Sequence, residues 1–367
     1  MLLSIHVHSK STLNRITYLA ISATKSYYEC MSMIIGYESA LQYWRTVGPR
    51  FLHGAKGRRS ATARARKAMS SQEKPRLSEG NRRPAGCTLP VHVIVGTASA
   101  RAQTNSVLGH RWGSLPEQSV EDAGEGFFVS TPEFCFLQMA SKLSLARLIQ
   151  LGCELCGTYV QHDAGPAARR EMSLTSVGKL RAFVEAASHA YGRAKALRAL
   201  SFVVDGAASP METVLTLLLC LPYRLGGYGI DQPQLNYQVN VTNRQRKLAD
   251  RGYCECDLCW PGSNLVVEYD SALYHLDPER QESDARRRGT LVSLGFTVLT
   301  VSRKQVMDSG AFNRLAHQVA NLTGKRLRFV DPGFTRAHLA LREELFLGLG
   351  EGDEVRSYPK MPYMYPK

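Results

Sequence analysis

The sequence predicts an α/β protein: a mixed sheet flanked by helices in the C-terminal third, preceded by a smaller α+β domain and a basic flexible linker. Three observations carry this. Short β-branched runs bounded by turn residues recur along the chain, as in Val91-His92-Val93-Ile94-Val95 and Leu265-Val266-Val267. Between them stand segments with helix-start chemistry, such as Ser130-Thr131-Pro132-Glu133 and Ser209-Pro210-Met211-Glu212. From 208 to 320 the order reads helix, three strands, helix, strand, helix: an antiparallel meander whose last strand joins through a helical crossover.

The elements follow in order. Residues 1–49 form a short helical N-terminal segment, with a helix over Tyr37 to Arg45, where Ser39 is one available cap and Leu41 and Trp44 share a face. The first twenty residues lack the pattern of a signal peptide. Residues 50–89 lose periodicity and are rich in Arg, Ala, Ser, Gly and Pro, which reads as a disordered basic linker with room for a short helix around Ala61 to Met69. A small α+β domain with trailing helices spans 90–205. It holds strands at 91–95, 107–112 and 127–129, a helix through Phe134 and Leu137, and another over Ser144 to Cys153. The 206–325 domain starts with the helix after Ser209. Strands follow at 234–241, 253–260 and 265–269, then a charged helix from Pro278 to Leu294, a strand at 296–301 and a last helix from Val306. Residues 326–367 add one helix, Arg336 to Phe346, and a loose Pro/Tyr-rich end.

Composition narrows the class. The 367 residues are 44% hydrophobic and 21% charged, which excludes a wholly disordered or collagen-like chain. No long uncharged apolar stretch predicts a membrane span. Nine cysteines without a disulfide spacing pattern fit a reducing, cytoplasmic setting. The net charge is +14, but between Arg50 and Arg83 eleven Lys/Arg face two Asp/Glu, so that segment carries +9. Such a segment suits a polyanion, nucleic acid first, and equally suits a solvated linker.

The acidic residues of the C-terminal third form a pattern. Asp257 interrupts an apolar strand, Glu268 ends the run Leu265-Val266-Val267, and Asp270 shares the strand face of Glu268 by the period of two. Ionised carboxylates inside strands are costly unless paired or metal-bound, and converging ones suit Mg²⁺ or Mn²⁺. His275 lies five residues beyond Asp270 and is a candidate for proton transfer near neutral pH. Asp284 and Arg287 can pair on one helix face, while Arg286, Arg287 and Arg288 could each face phosphate or solvent. Glu212 follows Ser209 by three, the spacing of a capping box. Cys153-x-x-Cys156 and Cys256-x-x-Cys259 have zinc-ligand spacing but lie far apart. The second pair falls in an alternating strand that should send its sulfurs to opposite faces, so buried small hydrophobes describe these cysteines better. His92 and His110 read as structural histidines.

The string CDLCWPGSNLVVEYDSALYHLDPERQESDARRRGTLVSLGFTVLTVSRKQV resembles the very-short-patch-repair-like endonucleases of the PD-(D/E)XK nuclease superfamily over about residues 208 to 320. The resemblance implies a restriction-endonuclease-like sheet and metal-dependent hydrolysis of DNA phosphodiester bonds, in bacterial DNA repair or phage defence. It implies that Asp257 and Glu268 hold Mg²⁺ or Mn²⁺ and that Glu212 completes the site. Asp270 stands where the superfamily name has lysine, an E-x-D variant that leaves the general base unassigned. Arg287 or a neighbour would steady charge on phosphate. Around 90–200, Val91, Arg101, His110-Arg111, the Ser130 to Glu133 start and Leu155-Cys156-Gly157-Thr158-Tyr159 are similar to abortive-infection antitoxin-like proteins, although no N-terminal winged helix is found. That likeness implies a protein partner through 90–205, and with it an alternative: a catalytically inactive nuclease-fold antitoxin or regulator that binds nucleic acid or protein.

Overall fold

The computed structural model describes residues 33–70, 75, 83–124, 126–162, 166–241, 252–270, 278–328, 332–347 and 349. The chain divides into two units, Met1–Cys135 and Phe136–Lys367. The N-terminal segment contributes a strand to the first sheet, which it shares with residues of the 90–205 span.

That strand, β1 (Met33–Ile35), is central in a five-stranded sheet of order β3-β2-β1-β5-β4, with β2 (Val91–Val95), β3 (Val107–Arg111), β4 (Val120–Gly124) and β5 (Phe127–Ser130). β1 runs antiparallel to β2 and parallel to β5, so the sheet is mixed. Helix α1 (Tyr37–Val47) starts after Gly36. Ser39 is not its cap; its buried hydroxyl accepts from the His92 amide at 2.9 Å. Trp44 is fully buried, and its indole N–H donates to the Ser130 carbonyl at 2.7 Å, tying α1 to β5. His92 Nδ1 lies 2.6 Å from the Glu38 carboxylate and 3.2 Å from His110 Nε2, across neighbouring elements.

The structure corrects the disordered-linker expectation for 55–70. Helix α2 (Ala55–Ser70) packs on β4 with Ala61, Thr62, Ala65 and Met69 buried. Its arginines meet the acids of and around β4: Arg58 holds Glu121 at 2.7 Å and Glu133 at 3.1 Å, Arg64 holds Asp122 at 2.8 Å, and Arg66 holds Glu117 at 2.6 Å. Three of the six basic residues of α2 are thus paired with acids, Arg58 with buried ones and Arg64 and Arg66 at the surface. Burial pushes the Glu121 carboxyl up, against the pull of Arg58 and His53.

The second unit is helical before its sheet begins. Helix α3 (Pro132–Met139) spans the division; α4 (Leu145–Cys156), α5 (Val177–Ala186) and α6 (Arg193–Leu200) follow, with a short hairpin of β6 (Tyr159–Val160) and β7 (Ala168–Arg169). Ser144 and Ser176 cap α4 and α5 by accepting from the amide three residues on. Helix α7 (Pro210–Cys220) is buried along residues 210–219, as its unbroken apolar run requires. After it, Gly226 turns with φ +90, and a Cβ there would lie 2.4 Å from the Ala337 carbonyl oxygen, so only glycine lets the C-terminal helix α11 (Pro332–Phe346) approach.

The sheet of this unit has order β11-β10-β9-β8, with β8 (Gln234–Asn240), β9 (Tyr253–Trp260), β10 (Leu265–Asp270) and β11 (Thr297–Ser302). β8, β9 and β10 form an antiparallel meander; β11 joins β10 in parallel after crossover helix α8 (Pro278–Ser293). Helices α9 (Arg303–Met307) and α10 (Ser309–Leu322) complete the unit. One apolar cluster, with Val239, Cys254, Cys256, Cys259, Val266 and Leu291, packs α8 on the sheet. Among the described residues no helix is long and apolar enough to cross a membrane.

Candidate active site

The ladder between β9 and β10 fixes the acidic pair. Leu265 stands opposite Trp260, Val266 opposite Cys259 and Val267 opposite Leu258. The paired register ends there; Glu268 follows Val267 and Asp257 precedes Leu258, close enough for the charge of Asp257 to act on Glu268. There the Tyr269 amide donates to Asp257 Oδ2 at 2.8 Å, so a side chain takes the place of the ladder bond. Asn236, the β8 residue across from Asp257, has φ 48, outside the extended region.

The structure also corrects the reading of the cysteines. Cys256 and Cys259 lie in the same apolar cluster, whereas strict alternation would have separated them. Burial along β9 alternates from Tyr253 to Leu258 and is then continuous through Trp260, so this end of the strand is covered on both faces.

Glu212 enters from the first turn of α7. Its Oε1 accepts from the Ser209 hydroxyl at 2.9 Å, and its Oε2 from the Ala208 amide and the Asn236 side-chain amide, both at 2.8 Å. Ser209 in turn accepts from the Glu212 amide at 3.1 Å, which is the N-cap half of the capping box expected from the sequence; the Glu212 carboxylate returns to the Ser209 hydroxyl and the Ala208 amide instead of the Ser209 amide. Through Asn236 the cap is joined to the sheet beside Asp257.

Glu268 is 5% exposed. Its Oε2 meets the Arg287 guanidinium at 2.8 Å, and its buried Oε1 has no hydrogen-bond partner among the described residues. The same Arg287 nitrogen donates to the Glu255 carbonyl at 2.8 Å, and its other terminal nitrogen lies 3.4 Å from Asp284, one helical turn earlier. The arginine expected at phosphate thus sits on a carboxylate, while Arg288 reaches Thr300 at 3.4 Å.

Electrostatics follow from burial. The Glu212 and Glu268 carboxyls are each pushed up to about 8, first by burial and then by the charge of Asp257; Arg287 pulls Glu268 partly back. For Arg287, burial opposes the charged form, but Glu268, Asp257 and Asp284 outweigh it and hold the guanidinium above its ordinary value. Two buried carboxyls shifted together beside a third are the signature of a site that wants a proton or a cation.

The expected metal set of Glu212, Asp257, Glu268 and Asp270 does not assemble as one cluster: among the described residues no three His, Cys, Asp or Glu side chains form a metal-holding group. The physical reasons are local. Both Glu212 oxygens are engaged in the cap, and Arg287 covers one Glu268 oxygen. Asp270 is half-buried at the end of β10, opposite Ser302. What remains fits a divalent cation at two residues, Asp257 and Glu268, with the unpartnered Glu268 Oε1 as the atom that calls for one. His275 lies outside the described residues. Sequence reasoning did not foresee Asn236 or the Glu255 carbonyl as parts of the site; neither residue type carries a metal-site signal, and only the β8–β9 register reveals them.

No protein-family model, curated protein or solved structure matches the chain.

Proposed function

We propose that the second unit is a metal-dependent endonuclease of the PD-(D/E)XK type, with a restriction-endonuclease-like core, hydrolysing DNA phosphodiester bonds in bacterial DNA repair or phage defence. The observation that carries the reading is the juxtaposition of Asp257 and Glu268 on adjacent strands, with one buried Glu268 oxygen unpartnered. Asp257 and Glu268 would hold Mg²⁺ or Mn²⁺, whose chemistry is to polarise a phosphoryl oxygen and lower the pKa of a bound water. Asn236 and Ser209 position Glu212, whose carboxyl, pushed up to about 8 by burial and Asp257, would give up its proton to a cation held beside it. Arg287, freed from Glu268, can reach a phosphate, and His275 is the candidate to move the proton.

One observation favours a second reading. The Arg287 ion pair blocks a Glu268 oxygen, which suits a nuclease fold that binds nucleic acid or a protein without cutting. DNA cleavage by the full chain with Mg²⁺ or Mn²⁺ separates the two. The endonuclease reading expects metal-dependent cutting, reduced at least 100-fold by Glu268→Gln and by Asp257→Asn, an order set by loss of a metal ligand or its support. DNA binding without cutting would favour the second reading.

A further inference from the structure

We propose that Arg287 is a built-in counter-cation: it masks Glu268 and has to leave it before a divalent cation binds, an inference that rests on the reading of Asp257 and Glu268 as the cation pair. Three features of the structure converge on it. First, the guanidinium occupies one oxygen of Glu268 at 2.8 Å while the other stays buried and unpartnered, so half of the carboxylate's acceptor capacity is unused. Second, one Arg287 nitrogen is shared between Glu268 and the Glu255 carbonyl, a bifurcated anchorage on β9 and β10 that puts the positive charge on a Glu268 oxygen a cation would take, within electrostatic reach of Asp257. A guanidinium and a divalent ion repel each other at such range, so the two occupancies compete. Third, Arg287 has an alternative resting place. Asp284 lies one helical turn earlier, 3.4 Å away, with its side chain 52% exposed. A swing toward it moves the guanidinium outward without leaving it unpaired.

Competition at one carboxylate has a consequence by linkage. Any anion that draws Arg287 off Glu268, a DNA phosphate above all, strengthens cation binding, and the cation strengthens binding of that anion by the same factor. Substrate thereby licenses loading of its own metal, and the free protein is held in a masked state.

The test is titration of the full-length protein with Mn²⁺ alone, following free Mn²⁺ by electron paramagnetic resonance. The variants are wild type, Arg287→Gln and Arg287→Met, with circular dichroism on each; the methionine variant fills the same space and gives the reading if the glutamine variant does not fold. The expected result is Mn²⁺ binding at least tenfold tighter in the Arg287 variant than in wild type, lost again when Glu268→Gln is added. Equal or weaker binding in the Arg287 variant, or none in either protein, overturns the proposal. Cleavage is scored separately. Tighter Mn²⁺ binding with no DNA cutting keeps the counter-cation and removes the endonuclease reading. Cutting by wild type with unchanged Mn²⁺ affinity does the reverse.

Discussion

At the scale of single residues, Glu212 joins a structural and an electrostatic role. It closes the cap of α7 with three accepted hydrogen bonds, and burial beside Asp257 pushes its carboxyl up. Glu212→Ala is expected to cost about 1–3 kcal/mol of unfolding free energy, measured by urea denaturation, because it strips a cap and leaves buried donors unpaired. Glu212 and Glu268 also make stability depend on pH. Their native values are raised to about 8 from the ordinary 4.5, so the folded protein keeps protons that the unfolded chain releases. The stabilisation is whole below the ordinary value and is lost as pH rises through about 8. In chelator, the urea midpoint is expected to fall between pH 5 and pH 8.5, and Glu268→Gln should flatten that slope; a midpoint that rises over this window would contradict the assignment. The acidic pair was legible in the sequence because a carboxylate inside an apolar strand is chemically conspicuous. The partner of Glu268 was not, since the position of Arg287 across the sheet depends on how α8 lies on β9, and three adjacent arginines read alike as a solvated face.

At the scale of elements, α2 shows why composition misleads. Its polar, Ala-rich sequence reads as linker, yet Ala61, Ala65 and Met69 recur every four residues and form the buried stripe. The signal was present but weak, because small side chains bury little apolar area each. What anchors the helix is the acid set of β4. Glu121 has a fully covered carboxylate, and Arg58 is its principal counter-charge. Arg58→Ala is expected to destabilise the first unit by about 3–5 kcal/mol, read as a lowered thermal midpoint, since it leaves a buried charge uncompensated. A midpoint within a degree of wild type would show that water reaches the carboxylate. Strands β1 and β4 escaped sequence reading for different reasons. Met33–Ile35 is three residues long, too short for any period to show, and Val120–Gly124 carries Glu and Asp that look like a turn. The meander and the crossover of the second sheet were legible, because β9, β10 and β11 are apolar runs separated by turn residues and a charged helix.

At the scale of the whole molecule, part of the positive charge of the 50–83 segment is answered by acids of the first unit. Arg58, Arg64 and Arg66 are committed to acids of the first unit, so nucleic-acid binding, if it follows the proposed function, is expected to depend more on the second unit than on α2. Charge-neutralising Arg64→Gln and Arg66→Gln together should change DNA affinity less than threefold at 0.1 M salt, whereas phosphate-contacting arginines alter both affinity and its salt slope. A tenfold loss measured by fluorescence anisotropy would return the basic helix to the interface. The account as a whole turns on whether Asp257 and Glu268 hold a divalent cation. The most direct measurement is anomalous diffraction at the manganese edge from crystals of the protein soaked in Mn²⁺. The account predicts one strong peak about 2.0–2.6 Å from carboxylate oxygens of both residues, with Arg287 withdrawn from Glu268. A saturated crystal with no manganese between them, or with the ion elsewhere while DNA is still cut, would contradict it.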